Sequence, residues 1–351
     1  MTRKHMKTYI TVLNVISAFS VVALHANGCF WQFSRSSYWF TANIIECVFY
    51  FAVPVFFMIT GVTLFDFMKR QDLGTFFRHR FHKVVVPFLF WSIVAVLFQV
   101  FYMKKFALSA MSPVFIANGI FKSTFCSVYW FFWPLFSVYL SIPLFAAVDN
   151  GKKEFVLKYL AASGLIINFF FPFVLAVFKV PVKIPVSVTV TSGFLLYAIL
   201  GWLIDHCEIS PSRKKIVYLL GFVGLIMHGG GTYLLSMEAG KIIKIYKGYN
   251  NVPCLLYSVA VFVFIKEYIS KFDILNPLHN KILKICNVLK NYTFPIYLLH
   301  WFLIRILVKE LHIDIKSMVW RIGGIFLLCF LSIAITWLVR KIPLFGKRIL
   351  P

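Results

Sequence analysis

The sequence predicts an all-α, polytopic integral membrane protein with about ten transmembrane helices. Of its 351 residues, 60% are hydrophobic and 19% are aromatic, and the mean hydropathy is +0.83. Soluble domains are only about half apolar. A bilayer core about 30 Å thick requires about 20 apolar residues per helix, and ten runs in the chain approach that length. We therefore expect residues 1–351 to form a single membrane-embedded domain.

Short polar segments separate the ten predicted spans. The first apolar run is too long for the core of a secretory leader and no small-residue cleavage site follows it, so we expect it to persist as a span. Pro172 interrupts the fifth run and predicts a kink in that helix. The predicted spans cover residues 8–30, 40–67, 82–103, 124–148, 154–178, 184–204, 215–236, 250–270, 291–309 and 318–342.

Lysine and arginine residues lie in short clusters between the apolar runs. The chain has 36 of them against 12 acidic residues, a formal net charge of +24. Clusters of this kind differ from the basic face of a nucleic-acid-binding domain, so no nucleic-acid partner is expected. With a cytoplasmic N-terminus, 23 of the 36 fall in cytoplasmic segments. This bias favours cytoplasmic N- and C-termini.

Cysteine spacing and short motifs exclude several classes of enzyme. The seven cysteines are odd in number, show no CxxC spacing and lie mostly in apolar runs, so we interpret them as small buried hydrophobic residues. No P-loop, GxSxG, HExxH or dinucleotide-binding motif occurs. We expect no metal site.

Two ionisable residues lie within spans, toward the same side of the predicted bilayer. His25 occurs in SVVALHANGCFW and Glu46 in TANIIECVFYFAVPVFF. Antiparallel first and second helices would place them at similar depth, where the carboxylate could fix the tautomer of the imidazole and raise its basicity. A satisfied buried histidine near the headgroups is an equally good interpretation at this stage.

Asn14 lies on the same face of the first helix as His25. The two positions are eleven residues apart, which brings them within about 20° around the helix and about 16 Å along it. A polar stripe of this kind is typical of a helix that lines an interior cavity. A single interhelical hydrogen bond would also explain Asn14.

A basic cluster precedes the third span in KRQDLGTFFRHRFHKVVVP. Arg78, Arg80 and Lys83 lie together there, with the two arginines about 200° apart around a helix. Guanidinium groups suit phosphate or carboxylate ligands. On charge alone, contact with anionic lipid is the simpler explanation.

Further polar residues occur in the C-terminal half of the chain. His300 lies near the middle of the ninth span, with Tyr297 one turn before it. His228, beside three glycines, is a weaker candidate. Asn250 and Asn251 precede the eighth span, where they could bind a hydroxylated ligand or cap the helix.

Taken together, the segments resemble the acyltransferase-three family of bacterial integral-membrane O-acyltransferases. YITVLNVISAFSVVALH is similar to the first helix of that family, and FFRHRFHKVVVPFLFW to its Arg-x-Arg segment ahead of a proline. VPVFFMITGVTLF, YWFFWPLFSVYLSIPLF, GFLLYAILGWLI and YTFPIYLLH resemble four further family segments in the family's order. The family's first-helix arginine is replaced here by Asn14, and the aspartate that often precedes it by Thr11. Only the histidine of the family's Arg–His couple is retained.

The resemblance implies a function and a set of roles. Members O-acylate surface carbohydrates from a cytoplasmic acyl-CoA, most commonly acetyl-CoA, in the bacterial plasma membrane. His25, with Glu46, would act as general base or transient acyl carrier, and Arg78, Arg80 and Lys83 would bind the phosphates of the donor. The acceptor, a surface polysaccharide or lipid-linked glycan, would be bound by Asn14, His300, Tyr297, Asn250 and Asn251. No hydrolase-like domain of the kind some members carry is present, so the chain resembles the stand-alone members.

Two other classes of protein remain open from the sequence alone. A transporter or flippase for a lipid-linked sugar could use the intramembrane His25 and Glu46 as a proton relay. A sensor or membrane anchor is a third interpretation, although no extramembrane domain is evident.

Overall fold

A computed structural model gives the structure of the protein and describes residues 8–182, 184–273, 275–343 and 345–351. Every regular element in these ranges is helical, which confirms the predicted all-α fold. The α-helices, numbered in chain order, are α1 Thr8–Ala26, α2 Ser37–Phe49, α3 Ala52–Leu64, α4 Leu73–Arg80, α5 Val86–Leu97, α6 Pro113–Phe121, α7 Phe132–Ala146, α8 Asn150–Gly164, α9 Phe171–Val177, α10 Leu195–His206, α11 Pro211–Ile226, α12 Thr232–Ala239, α13 Val252–Ser270, α14 Pro277–Leu289, α15 Thr293–Glu310, α16 Met318–Val339 and α17 Gly346–Ile349.

Several long stretches contain π-helical turns, three of which lie between two α-helices and one of which, Phe98–Tyr102, ends its helix. Such turns insert one residue into the helix and are frequent at functional sites. The π-helical segments are Phe81–Val85, Phe98–Tyr102, Leu165–Phe170 and Met227–Gly231. The third of these ends at Phe170, two residues before Pro172, so the hydrogen-bond pattern of the fifth span changes next to the proline at which a kink was predicted.

Within the described ranges, eight helical stretches are long and apolar enough to cross a membrane. They correspond to eight of the ten predicted spans. The predicted ninth span corresponds to α15, which has 18 residues. It is not among the eight stretches because charged residues lie in its last two turns. The predicted sixth span is α10, which has only 12 residues.

The sixth span is shorter than predicted because its first half is not helical. Residues 184–194 form turns around a short 3₁₀ segment, Thr189–Thr191, and α10 begins only at Leu195. Pro185 lacks a backbone N–H, and Gly193 adopts a left-handed φ of +56° that a continuous helix does not accept. Hydropathy alone does not reveal these breaks.

The third span begins earlier than predicted, at Leu73 rather than residue 82. The Asp72 side chain accepts a hydrogen bond from the Thr75 backbone N–H at 2.9 Å and caps the helix there. Arg78 and Arg80 therefore lie on a helix and not in a connecting loop.

The seven cysteines, all among the described residues, are free thiols. Five are buried and two are partly exposed. The interpretation of these residues as small hydrophobic side chains is confirmed.

Helix α1 lies at the centre of the bundle. It packs against α2, α3, α13, α15 and α16. Large apolar side chains of the outer helices, such as Leu140, Phe222 and Phe330, are exposed on the perimeter, where lipid would surround them. We call the end of the bundle at which α1 begins the N-terminal face. There Tyr9 donates a hydrogen bond to Asp205. The other end is called the opposite face.

Two glycines allow α3 and α10 to pack with their backbones in contact. A Cβ atom on Gly61 would overlap the carbonyl group of Ala198, and one on Gly201 would overlap that of Met58. Since the obstructing atoms are backbone, neither helix can yield by a change of rotamer. Small residues that permit such approach are typical of helix interfaces in membranes.

We therefore expect Gly61→Ala and Gly201→Ala each to destabilise the protein by at least about 1–3 kcal/mol, the usual effect of overpacking. The measurement is thermal unfolding of the purified protein in detergent. Gly323→Ala is the matched control, because a Cβ at this helical glycine meets no atom within 4 Å. Equal melting temperatures for all three variants would contradict the packing described here.

Candidate active site

A cavity of about 740 Å³ lies within the half of the bundle nearer the opposite face. His25 and Glu46 both line it, together with residues of the connecting segments on that face such as Gln32 and Met103. The rest of the lining is rich in aromatic side chains, with two cations near the rim. These residues are Trp31, Tyr50, Trp130, Phe131, Tyr249, Tyr297, Trp301, Trp320, Arg305 and Lys309.

His25 forms a hydrogen bond with a second histidine across the interface of α1 and α15. The His25 Nδ1 and His300 Nε2 atoms are 2.9 Å apart, and the ring centroids are 4.8 Å apart with an interplanar angle of 29°. His300 is fully buried, whereas His25 is partly exposed to the cavity. The last turn of α1 is thereby attached to the second turn of α15.

The hydrogen-bond network assigns the tautomers of both rings. His300 Nδ1 lies 3.0 Å from the Ile296 carbonyl oxygen, which can only accept, so Nδ1 carries the proton. In a neutral ring His300 Nε2 is then an acceptor, and His25 Nδ1 must donate to it. The lone pair of His25 is left on Nε2, the nitrogen not used in the histidine pair. A cavity-lining imidazole in this tautomer has the form that a general base requires.

Glu46 does not pair with His25 as expected from the sequence. Its Oε1 atom accepts a hydrogen bond from Lys247 Nζ at 2.9 Å, and both side chains are at least 97% buried. The ammonium group of Lys247 also lies 3.7 Å from the centre of the Tyr50 ring. The connecting segment before α13 brings this cation into the bundle, and a buried carboxylate pairs with the nearest full charge. A direct hydrogen bond between His25 and Glu46 is therefore absent from the described residues.

The second oxygen of Glu46 has no hydrogen-bond partner among the described residues. Protein covers this oxygen, so a ligand can use it as an acceptor only when the surrounding side chains move. Next to it, the Tyr50 and Tyr249 rings are stacked 4.2 Å apart, and Trp130 stacks on Tyr249 at 5.5 Å. This arrangement presents a carboxylate beside a row of aromatic rings.

Asn14 faces α15, as the helical stripe with His25 predicts, but it lies outside the cavity lining. Its Nδ2 atom donates to Thr293 Oγ1 at 3.4 Å. Because the cavity is confined to the half of α1 near His25, Asn14 acts as an interhelical contact and not as a ligand of the same cavity.

The other predicted acceptor-binding residues are not brought together. Tyr297 lines the cavity and donates its hydroxyl to the Val128 carbonyl. Asn251 caps α13 by accepting from the Val252 N–H at 2.9 Å, so the capping interpretation holds for it. Asn250 lines a different cavity of about 620 Å³, bounded mainly by apolar residues of the 167–193 region.

The basic cluster lies toward the N-terminal face and contributes nothing to the cavity lining. Arg78 and Lys83 are exposed. The Arg80 guanidinium lies over the rings of Phe76 and Tyr139, at 5.9 and 5.7 Å, and its Nε atom is buried without a hydrogen-bond partner among the described residues. The two arginines differ in environment because they point to different sides of one helix.

Lys247 is the functional candidate that sequence analysis missed. It occurs in KIIKIYKGYN, where it is indistinguishable from the neighbouring cations of a polar connecting segment. His228, weakly favoured from the sequence, is buried with its ring 4.9 Å from that of Tyr50, but it does not line the cavity.

Comparison with known families identifies the chain. A family model described as an acyltransferase domain matches residues 7–341, nearly the whole chain. Comparison with curated proteins and with solved structures gives no match. The family match agrees with the segments quoted above and with a helical bundle that encloses an imidazole at a cavity wall. The chain therefore belongs to the acyltransferase-three family and is a membrane acyltransferase.

Proposed function

We propose that the protein is an O-acyltransferase of the bacterial plasma membrane. It moves an acyl group, acetyl in the simplest case, from cytoplasmic acyl-CoA to a hydroxyl group of a carbohydrate on the outer side. The observation that carries this proposal is that His25 lines a cavity near the opposite face and keeps the lone pair of its Nε2 atom, which the histidine pair does not use. The excess of cations at the N-terminal face supports a cytoplasmic position for that face.

The chemistry follows from the assigned tautomer of His25. Its Nε2 lone pair accepts the proton of the acceptor hydroxyl while the hydroxyl oxygen attacks the thioester carbonyl. The C–S bond breaks, an ester C–O bond forms, and the proton passes to the departing thiolate. General-base assistance of this kind contributes about 10²–10⁴-fold, or roughly 3–5 kcal/mol. The same lone pair would serve if His25 carried the acyl group transiently.

His300 supports this step by position. Its Nε2 atom accepts the hydrogen bond that His25 Nδ1–H donates. This contact would stabilise the positive charge that develops on the His25 ring. The family's cation at position 14 is absent here. His300 therefore supplies the contact that keeps His25 in the productive tautomer.

The aromatic wall and Glu46 support a carbohydrate acceptor. Once the side chains that cover it move, the Glu46 oxygen without a partner can accept hydrogen bonds from sugar hydroxyls. The Tyr50, Tyr249 and Trp130 rings can pack against the apolar face of a pyranose. We therefore propose that the acceptor binds at Glu46 and its neighbouring rings in place of the predicted Asn250 and Asn251. For the donor phosphates, Arg78, Arg80 and Lys83 remain the site that the family resemblance implies.

Replacing His25 by Ala is expected to lower acyl transfer by about 10²–10⁴-fold, because the general base is lost. The measurement is loss of ester signals in NMR spectra of the surface glycan, with the amount of folded protein in the membrane measured in parallel. His279→Ala is the control, since that ring stacks on Phe272 away from the cavity. Unchanged ester content in the His25 variant would refute the proposed function.

Replacing His300 should reduce the rate by a smaller factor than replacing His25. His300→Ala removes the side-chain acceptor of His25 Nδ1–H, so the fraction of His25 with its lone pair on Nε2 falls and the rate falls at every pH. His300→Gln offers an amide oxygen to the same proton and should retain more activity than His300→Ala. A wild-type rate and pH profile in His300→Ala would exclude this positioning role.

Glu46→Gln is expected to raise KM for the acceptor and also to destabilise the protein, because Lys247 is left buried and unpaired. Breaking a buried ion pair on one side costs about 3–5 kcal/mol. The double variant Glu46→Gln, Lys247→Met removes both charges and should recover most of the stability. If Glu46 binds the acceptor, KM remains high in the folded double variant. A wild-type KM there would show that Glu46 has only a structural role.

A further inference from the structure

A second concave site, rich in cations, lies at the N-terminal face. It is a cavity of about 450 Å³ lined by Lys290, Asn291, Phe294, Arg340, Lys347 and Pro351. We call it the basic pocket. Its walls come from the start of α15, the end of α16 and the C-terminal segment around α17. Among the described residues, three cationic side chains and no acidic side chain line it.

Arg340 is held in a defined orientation in the basic pocket. Its Nε atom donates to the Leu350 carbonyl at 2.9 Å, and Nη2 donates to the Asn291 carbonyl at 2.7 Å. The guanidinium carbon also lies 5.1 Å from the centre of the Tyr292 ring. Nη1 has no acceptor among the described residues. A guanidinium fixed in this way loses little entropy when it binds a phosphate.

The basic pocket and the His25 cavity are lined by residues about one turn apart on α15, with the basic pocket nearer the N-terminal face. Phe294 lines the pocket, and Tyr297, three residues further on, lines the cavity. Three residues correspond to a rise of about 4.5 Å and return to the same side of a helix. The two cavities share no lining residue. Between them, the Phe132 ring lies 6.2 Å from that of Phe294 and 5.6 Å from that of Tyr297.

The basic pocket differs in shape and in access to the candidate active site from the cluster of Arg78, Arg80 and Lys83, here called the Arg78 cluster. Arg78 and Lys83 are exposed on the surface of one helix, and Arg80 packs on aromatic rings. Lys290 and Lys347 are also exposed, and Lys290 Nζ donates to Asn287 Oδ1 at 3.1 Å. With Arg340, however, they border one concavity from separate segments. Convergent cations in a concave site bind a multiply charged phosphate group better than dispersed surface cations do.

We propose that the basic pocket binds phosphate groups of the nucleotide thioester donor, placing its thioester arm below Phe294 and pointing toward His25. The inference rests on the proposed function, because it takes acyl-CoA as the donor. CoA carries a diphosphate and a separate 3′-phosphate, so the pocket can act together with the Arg78 cluster. Passage of the arm to His25 requires the Phe294 ring to move, since the two cavities are separate in this structure.

The test measures the Kd of CoA for the purified full-length protein by isothermal titration calorimetry, in nanodiscs of phosphatidylcholine. In the double variant Lys290→Glu, Lys347→Glu the Kd should rise at least about tenfold, because two charge-assisted contacts are lost and two repulsions are added. The matched control is Lys281→Glu, Lys284→Glu on α14, which makes the same charge change at exposed positions outside the pocket. Pantetheine, which lacks phosphates, should bind all variants equally weakly.

The outcomes separate this inference from the proposed function. If the wild-type protein does not bind CoA, the donor assignment itself fails. If the wild type binds CoA and the pocket variant binds it with the same Kd, only the inference fails. A second experiment uses nanodiscs that also contain phosphatidylglycerol. If the pocket variant loses bound phosphatidylglycerol, measured by native mass spectrometry, but keeps its affinity for CoA, the pocket is a lipid site and the proposal is overturned.

Discussion

The hydrogen bond between His25 and His300 is the contact on which the active site depends. It joins the central helix α1 to α15 and determines which nitrogen of His25 keeps its lone pair. The assignment begins one turn earlier on α15, at the Ile296 carbonyl, because that oxygen can only accept. In the membrane interior, where water is scarce, each polar group must be satisfied by protein. A chain of donors and acceptors therefore runs from a backbone carbonyl to His25 and determines the tautomer of its ring.

The ion pair of Glu46 and Lys247 organises the other wall of the cavity. Burying two charges is expensive, and a well-packed apolar pair would often be as stable. The pair does draw the segment before α13 into the bundle, and this places Tyr249 against Tyr50 and Trp130. Glu46, one oxygen of which has no partner among the described residues, adds a carboxylate to an otherwise aromatic wall. The Glu46–Lys247 ion pair thus accounts both for the positions of the rings and for the carboxylate at this wall of the cavity.

Much of the fold follows from hydropathy, because the bilayer imposes one length scale on every span. The sixth span departs most from this pattern, since Pro185 and Gly193 interrupt an apolar run that hydropathy counts as continuous. The site was predicted in part. Helical spacing placed His25 and Asn14 on one face, and that face does contact α15. The partners of His25 and Glu46 could not be predicted, because His300 and Lys247 are 275 and 201 residues away and nothing in the local sequence marks the pairing.

The aromatic rings of Phe132, Phe294 and Tyr297 have a consequence for the membrane as a whole. A water-filled channel from one face to the other would let protons and ions leak and dissipate the potential across the bilayer. Two separate cavities divided by apolar rings avoid such a leak. The apolar rings thus keep the two cavities electrically insulated from each other.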